Sequence, residues 1–178
     1  MRLHVSIGLR WSDLDAYGHV NNVSMLRLLE EARIQAFWAD GAGRAAGATT
    51  AVLNGGPDAD TLTFLARQEI EYLKAVPYHR TPLDVQIWLS RLGGASLEVC
   101  YEVHSPQGEA PDLLYTRAST TIVLMDATTQ RPRRVSALER AAWEPYVDEP
   151  IVFRPHGRPA AAEPRSVVAP SKTEPASD

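Results

Sequence analysis

Two hydrophobic periods divide this chain. Over residues 23–40, Met25, Leu28, Leu29, Ala32, Ala36 and Phe37 recur at the i, i+3, i+4, i+7 spacing of a helix with one buried face. Asn22 or Ser24 can cap its start and Gly41 can stop it. Elsewhere the period is two. Residues 2–10 alternate loosely, as a first or edge strand would, and lead into a turn at Trp11. Leu62, Phe64, Ala66, Ile70 and Tyr72 share one parity, which predicts a strand ended by Pro77. Leu83, Val85, Ile87 and Leu89 alternate with Asp84, Gln86, Trp88 and Ser90; Leu97, Val99, Tyr101 and Val103 alternate with Ser96, Glu98, Cys100 and Glu102. The Gly93-Gly94 break between these runs predicts an antiparallel hairpin with one packed face and one wetter face. A last long strand is expected over 113–125, with 122–125 buried on both sides, and Ser136 and Glu139 form a capping box for a short helix to about Trp143.

The segment 41–60 reads as a loop, with a possible short strand over 49–53. After Pro155 the chain holds mostly Pro, Ala and charged residues, so one domain over 1–154 and a disordered tail over 155–178 are expected. One long helix followed by antiparallel strands is an α+β arrangement, with the strongly twisted sheet wrapped around the helix.

Composition narrows the chemistry. At 178 residues the chain can bury a real core, and its net charge of −4 argues against a nucleic-acid surface. Arg131, Arg133 and Arg134 form a local basic group that reads more simply as a solvated turn. Cys100 is single, which excludes an intrachain disulfide, and the five histidines are scattered, so no metal or other cofactor is expected. No apolar run is long enough to cross a bilayer and no signal peptide is visible at the N-terminus, so a cytoplasmic protein with no membrane partner is expected. A P-loop and a Gly-x-Ser-x-Gly elbow are both missing from the sequence.

Chemically capable groups concentrate at residues 10–33. Asp13 and Asp15 flank a turn whose glycine is Gly18, and His19-Val20-Asn21-Asn22 runs directly into the helix. A carboxylate thus lies next to the unpaired N–H groups and positive dipole end of a helix start, which is what acyl transfer through an oxyanion requires. Asp13 reads as turn support. His19 can touch substrate or fasten the turn, and Gly18 suits a left-handed backbone position.

The stretch Ser12-Asp13-Leu14-Asp15-Ala16-Tyr17-Gly18-His19-Val20-Asn21-Asn22, continued by Glu30-Glu31-Ala32-Arg33, resembles the hotdog-fold acyl-CoA thioesterases of the 4-hydroxybenzoyl-CoA thioesterase type. The likeness continues through 67–74 and the 91–96 turn, covering 2 to about 146. It departs at two positions, Met25 in place of a common Tyr and Tyr17 in place of the Asn of plant acyl-ACP enzymes. The resemblance implies a hotdog fold and a homodimer or homotetramer with sites between subunits. It implies Asp15 as catalytic carboxylate, either base or nucleophile, and the Asn22 backbone amide as the group polarising the thioester carbonyl. Tyr17, Gly18, His19 and Glu30 are the expected substrate contacts, and Arg67, Lys74 and Arg91 are candidates for CoA phosphates. The expected reaction converts acyl-CoA and water to a carboxylic acid and CoA; an acyl-ACP thioesterase and a non-catalytic acyl-CoA-binding protein are the alternatives.

Overall fold

The computed structural model describes residues 1–39 and 50–155. Its strands are β1 (Leu3–Ile7), β2 (Thr61–Tyr72), β3 (Leu83–Leu92), β4 (Ser96–His104) and β5 (Leu114–Asp126), and its helices α1 (Asn22–Phe37) and α2 (Ala137–Trp143). The five strands form one antiparallel sheet in the order β1-β3-β4-β5-β2. This is the α+β hotdog architecture expected from the sequence. Among the described residues no helix is long and apolar enough to cross a membrane.

The sheet face that carries Val5, Ile7, Leu83, Val85, Ile87 and Leu89 packs on α1, which contributes Met25, Leu29, Ala32, Ala36 and Phe37 to one core. The cap stands one residue before Asn22 and three before Ser24, the two expected positions: Asn21 is the N-cap, its side chain accepting from Val23 N at 2.8 Å, and Asn22 is the first helical residue. A cap must stand outside the helix with extended backbone, and Asn21 does. The helix closes at Phe37, four residues before Gly41, which lies outside the described residues, as does the expected 41–60 loop as far as Thr49. At that end Trp143 of α2 packs edge-to-face on Phe37 with ring centroids 5.8 Å apart, and its indole N–H donates to the Thr50 carbonyl at 2.9 Å. The capping box of α2 forms as expected from Ser136 and Glu139.

Three expectations need correction. The shared parity of Leu62, Phe64, Ile70 and Tyr72 is broken by a bulge between Leu65 and Arg67. One extra residue flips every later side chain, so Ile70 and Tyr72 face α1 while Leu62 and Phe64 face away. The wetter face of the 83–104 hairpin is also partly dry. Trp88 and Cys100 point away from α1 yet are almost fully buried, because residues 147–151 cross over them. Val147 bridges to Leu89, and the Trp88 indole N–H donates to the Glu149 carbonyl at 2.8 Å. Finally, burial on both sides at 122–125 holds only in part: Ile122 and Leu124 are buried, Val123 and Met125 half-buried. The expected tail lies outside the described residues from His156 onward.

Candidate active site

The turn before α1 is built around the two acids, and the structure separates them. The Asp13 carboxylate accepts from Arg10 N at 2.6 Å and its carbonyl accepts from Asn21 N at 2.8 Å, so Asp13 closes the turn. Asp15 folds a tighter loop. Its Oδ1 accepts from Tyr17 N at 2.8 Å and from His19 N at 3.2 Å, while Asp15 N donates to the His19 carbonyl at 2.7 Å. These bonds fix the carboxyl group by one oxygen; among the described residues Oδ2 has no protein partner. Gly18 closes the loop at φ +77°, a left-handed position that a side chain resists.

The loop is pinned to the chain beyond β2. Val20 N donates to the Val76 carbonyl at 2.9 Å, and His19 bridges to Pro77. A groove of about 420 Å³ opens between them, lined by Asp15, His19, Asn21, Asn22, Met25 and Tyr72, with Lys74 at its rim. At the helix start Val23 N is taken by the Asn21 side chain and Met25 N by the Asn21 carbonyl. Among the described residues the Asn22 N–H has no partner, Asn22 lines the groove, and the dipole of a 16-residue helix adds positive potential there. The Tyr72 hydroxyl reaches the Asn22 carbonyl at 3.4 Å, and partial burial pushes its pKa up, keeping it a donor at neutral pH.

The structure therefore brings together Asp15, His19 and Asn22, with Gly18 holding the loop. Tyr17 is 85% exposed and does not line the groove. Glu30 is also outside it, solvent-facing and within 3.6 Å of Arg33. Of the three phosphate candidates only Lys74 stands at the site. Arg67 pairs with Glu69 at 2.9 Å, and Arg91 lies at the opposite end of the sheet. Arg133 is likewise engaged, its guanidinium held by the buried Glu139. Tyr72 and Val76 line the groove without having been singled out in the sequence; the bulge in β2 hides which way Tyr72 points. Among the described residues no group of three or more His, Cys, Asp or Glu side chains is placed to hold a metal.

Comparison with known proteins decides the family. The model of the thioesterase-like superfamily matches residues 9–155. The chain belongs to that superfamily. It is a thioester hydrolase. Among solved structures it is similar to PA2801, a candidate thioesterase from Pseudomonas aeruginosa, with 28% identity over 79% of this chain and 95% of that one and a TM-score of 0.57. The probable thioesterase YbaW of Escherichia coli matches at 22% identity, 83% and 99% coverage and TM-score 0.58. A candidate acyl-CoA thioesterase from Xanthomonas campestris matches at 24% identity, 71% and 93% coverage and TM-score 0.52. No curated protein matches this chain.

Proposed function

We propose that this thioesterase hydrolyses acyl-CoA thioesters, with Asp15 activating the attack and the Asn22 backbone N–H polarising the carbonyl. The observation that carries this reading is that Asp15, with one carboxylate oxygen held by the turn, and Asn22, the first residue of α1, line one groove. With the thioester oxygen on the Asn22 N–H, Asp15 Oδ2 takes a proton from water as its oxygen bonds the carbonyl carbon. The resulting oxyanion keeps the Asn22 hydrogen bond, a contact whose loss typically costs about 3 kcal/mol. It collapses by breaking the carbon–sulfur bond, and the thiolate leaves with the proton returned from Asp15. If Asp15 attacks directly, the same groups serve an anhydride that water then opens.

CoA as carrier is supported by Lys74 at the rim, by the name of the Xanthomonas campestris protein and by the motif of residues 12–22. A homodimer is supported by β2. It is an edge strand of 12 residues, and on its α1-facing side Leu65 and Tyr72 are about half exposed. Purified protein given a panel of short, long and aromatic acyl-CoAs is expected to release free thiol. Acyl-CoA binding without thiol release across the panel overturns the hydrolytic mechanism, and faster release from acyl carrier protein overturns CoA as the carrier.

A further inference from the structure

The mechanism above leaves one chain of polar groups unused. The Tyr115 side chain is buried, 3% exposed, and its hydroxyl lies 3.0 Å from Nε2 of His79. The other imidazole nitrogen, Nδ1, stands 3.6 Å from the Glu109 carboxylate in the connection between β4 and β5. That carboxylate favours the hydrogen on Nδ1. In the neutral ring Nε2 is then the acceptor, and the Tyr115 O–H donates to it. Burial, reinforced by the Glu109 charge, pushes the Tyr115 pKa up, so the phenol keeps the proton this bond needs.

His79 closes a loop that begins on the same tyrosine. Where β2 leaves β5, Leu73 N and Lys74 N both donate to the Tyr115 carbonyl, at 2.8 and 3.1 Å. The chain returns at His79, whose side chain meets the Tyr115 hydroxyl. Between these two ties, consecutive residues meet the turns that precede α1. The Val76 carbonyl accepts from Val20 N at 2.9 Å, and Pro77 bridges to His19. The Tyr78 ring packs edge-to-face on Trp11 with centroids 5.4 Å apart. His19 N is itself bonded to the Asp15 carboxylate. The first tie is main chain on main chain, whereas the second depends on two side chains. Losing the second frees the end that carries Val76, Pro77 and Tyr78 and leaves Lys74 in place.

Resting on the acyl-thioester reading above, we propose that His79 and Tyr115 are positioning residues whose hydrogen bond holds Val76, Pro77 and Tyr78 where the Asp15 loop docks. Neither side chain lines the groove. They act through the loop, by setting where the Asp15 carboxylate stands relative to the Asn22 N–H. A misplacement of about 1 Å can cost about 10²-fold in rate, so a tie remote from the chemistry is felt in kcat.

The test uses the full chain and an acyl-CoA that the panel shows to be hydrolysed. Tyr115→Phe keeps the buried ring and removes the hydroxyl. It is expected to lower kcat at least tenfold with KM within twofold of wild type, because Lys74 is still held by the Tyr115 carbonyl. His79→Ala should do the same. His79→Gln, whose amide oxygen can accept the Tyr115 O–H, should recover most of kcat. Two readings need no turnover. Nitrogen-15 NMR of the neutral ring should show Nδ1 protonated and Nε2 bare in wild type, with that preference weakened in Tyr115→Phe. The Val20 amide should exchange with solvent at least fivefold faster in Tyr115→Phe and His79→Ala, while the Met25 amide, bonded to the Asn21 carbonyl, is unchanged. Wild-type kcat in both variants, a loss in His79→Gln as large as in His79→Ala, or unchanged Val20 exchange overturns the proposal. Accelerated Val20 exchange in the variants of a protein that releases no thiol from any acyl-CoA upholds this inference and removes the hydrolytic one.

Discussion

Replacing Asp15 with Asn separates chemistry from folding unusually well. The Asp15 Oδ1 accepts from Tyr17 N at 2.8 Å and His19 N at 3.2 Å, and an amide oxygen can accept both. What the loop loses is the charge on the acceptor, about 1 kcal/mol for each of two bonds and less where water screens them. At roughly 2–4 °C per kcal/mol for a domain of this size, the melting temperature should fall by no more than about 8 °C. The reaction loses far more. Oδ2 becomes an amide nitrogen that cannot take a proton from water, and general-base contributions are typically about 10²–10⁴-fold. The assay follows thiol release under kcat and kcat/KM conditions, with thermal unfolding measured on the same preparation. Turnover within threefold of wild type refutes the role given to Asp15. A melting temperature lower by 15 °C or more would instead assign the lost activity to a collapsed turn.

Asn21→Ala removes the cap of α1 and should cost about 1 kcal/mol in denaturant unfolding, with Asn21→Asp close to neutral. Gly18→Ala meets no atom within 4 Å, so its cost is the left-handed backbone alone, about 1–2 kcal/mol by the same measurement, with reduced kcat from the displaced Asp15. Stability should also depend on pH in two directions. Burial raises the Glu139 pKa but is outweighed by hydrogen bonds from Arg133 and Ser136, so its carboxyl sits below the usual value of 4.5; that stabilisation is present above 4.5 and disappears as pH falls through the folded value. Glu102 beside His104 raises the imidazole pKa above 6.5, so its contribution is full below 6.5 and disappears as pH rises through the folded value. Melting temperature against pH should show both limbs, and Glu139→Gln should flatten only the acid one.

The elements most legible in the sequence were those whose partners lie on one side. The period of α1 and the alternation of β3 and β4 survive because a single buried face sets each pattern. Their failures share a cause. The β2 bulge inserts one residue whose effect on parity is invisible until β5 is laid beside it. Trp88 reads as an outward, wetter position because the segment that covers it lies some sixty residues away in the chain. In the groove, Asp15 and Asn22 could be placed together from the sequence because one local turn joins them, whereas Tyr72 and Val76 arrive from the end of β2 and the chain beyond it. Helical periodicity places Arg33 on a face of α1, but only its bond to the Tyr101 hydroxyl shows what that face meets.

The segment over Trp88 gives the protein a built-in optical gauge. The indole is 2% exposed, with Arg2 stacked on it 3.9 Å from the ring centroid. It loses both its apolar cover and its hydrogen bond to the Glu149 carbonyl if residues 147–151 lift away. The candidate groove lies on the opposite face of the sheet, so that lifting would redden and quench Trp88 emission while the thioester site stays assembled. Peeling of the outer layer and unfolding of the core would therefore register as two separate signals on one chain.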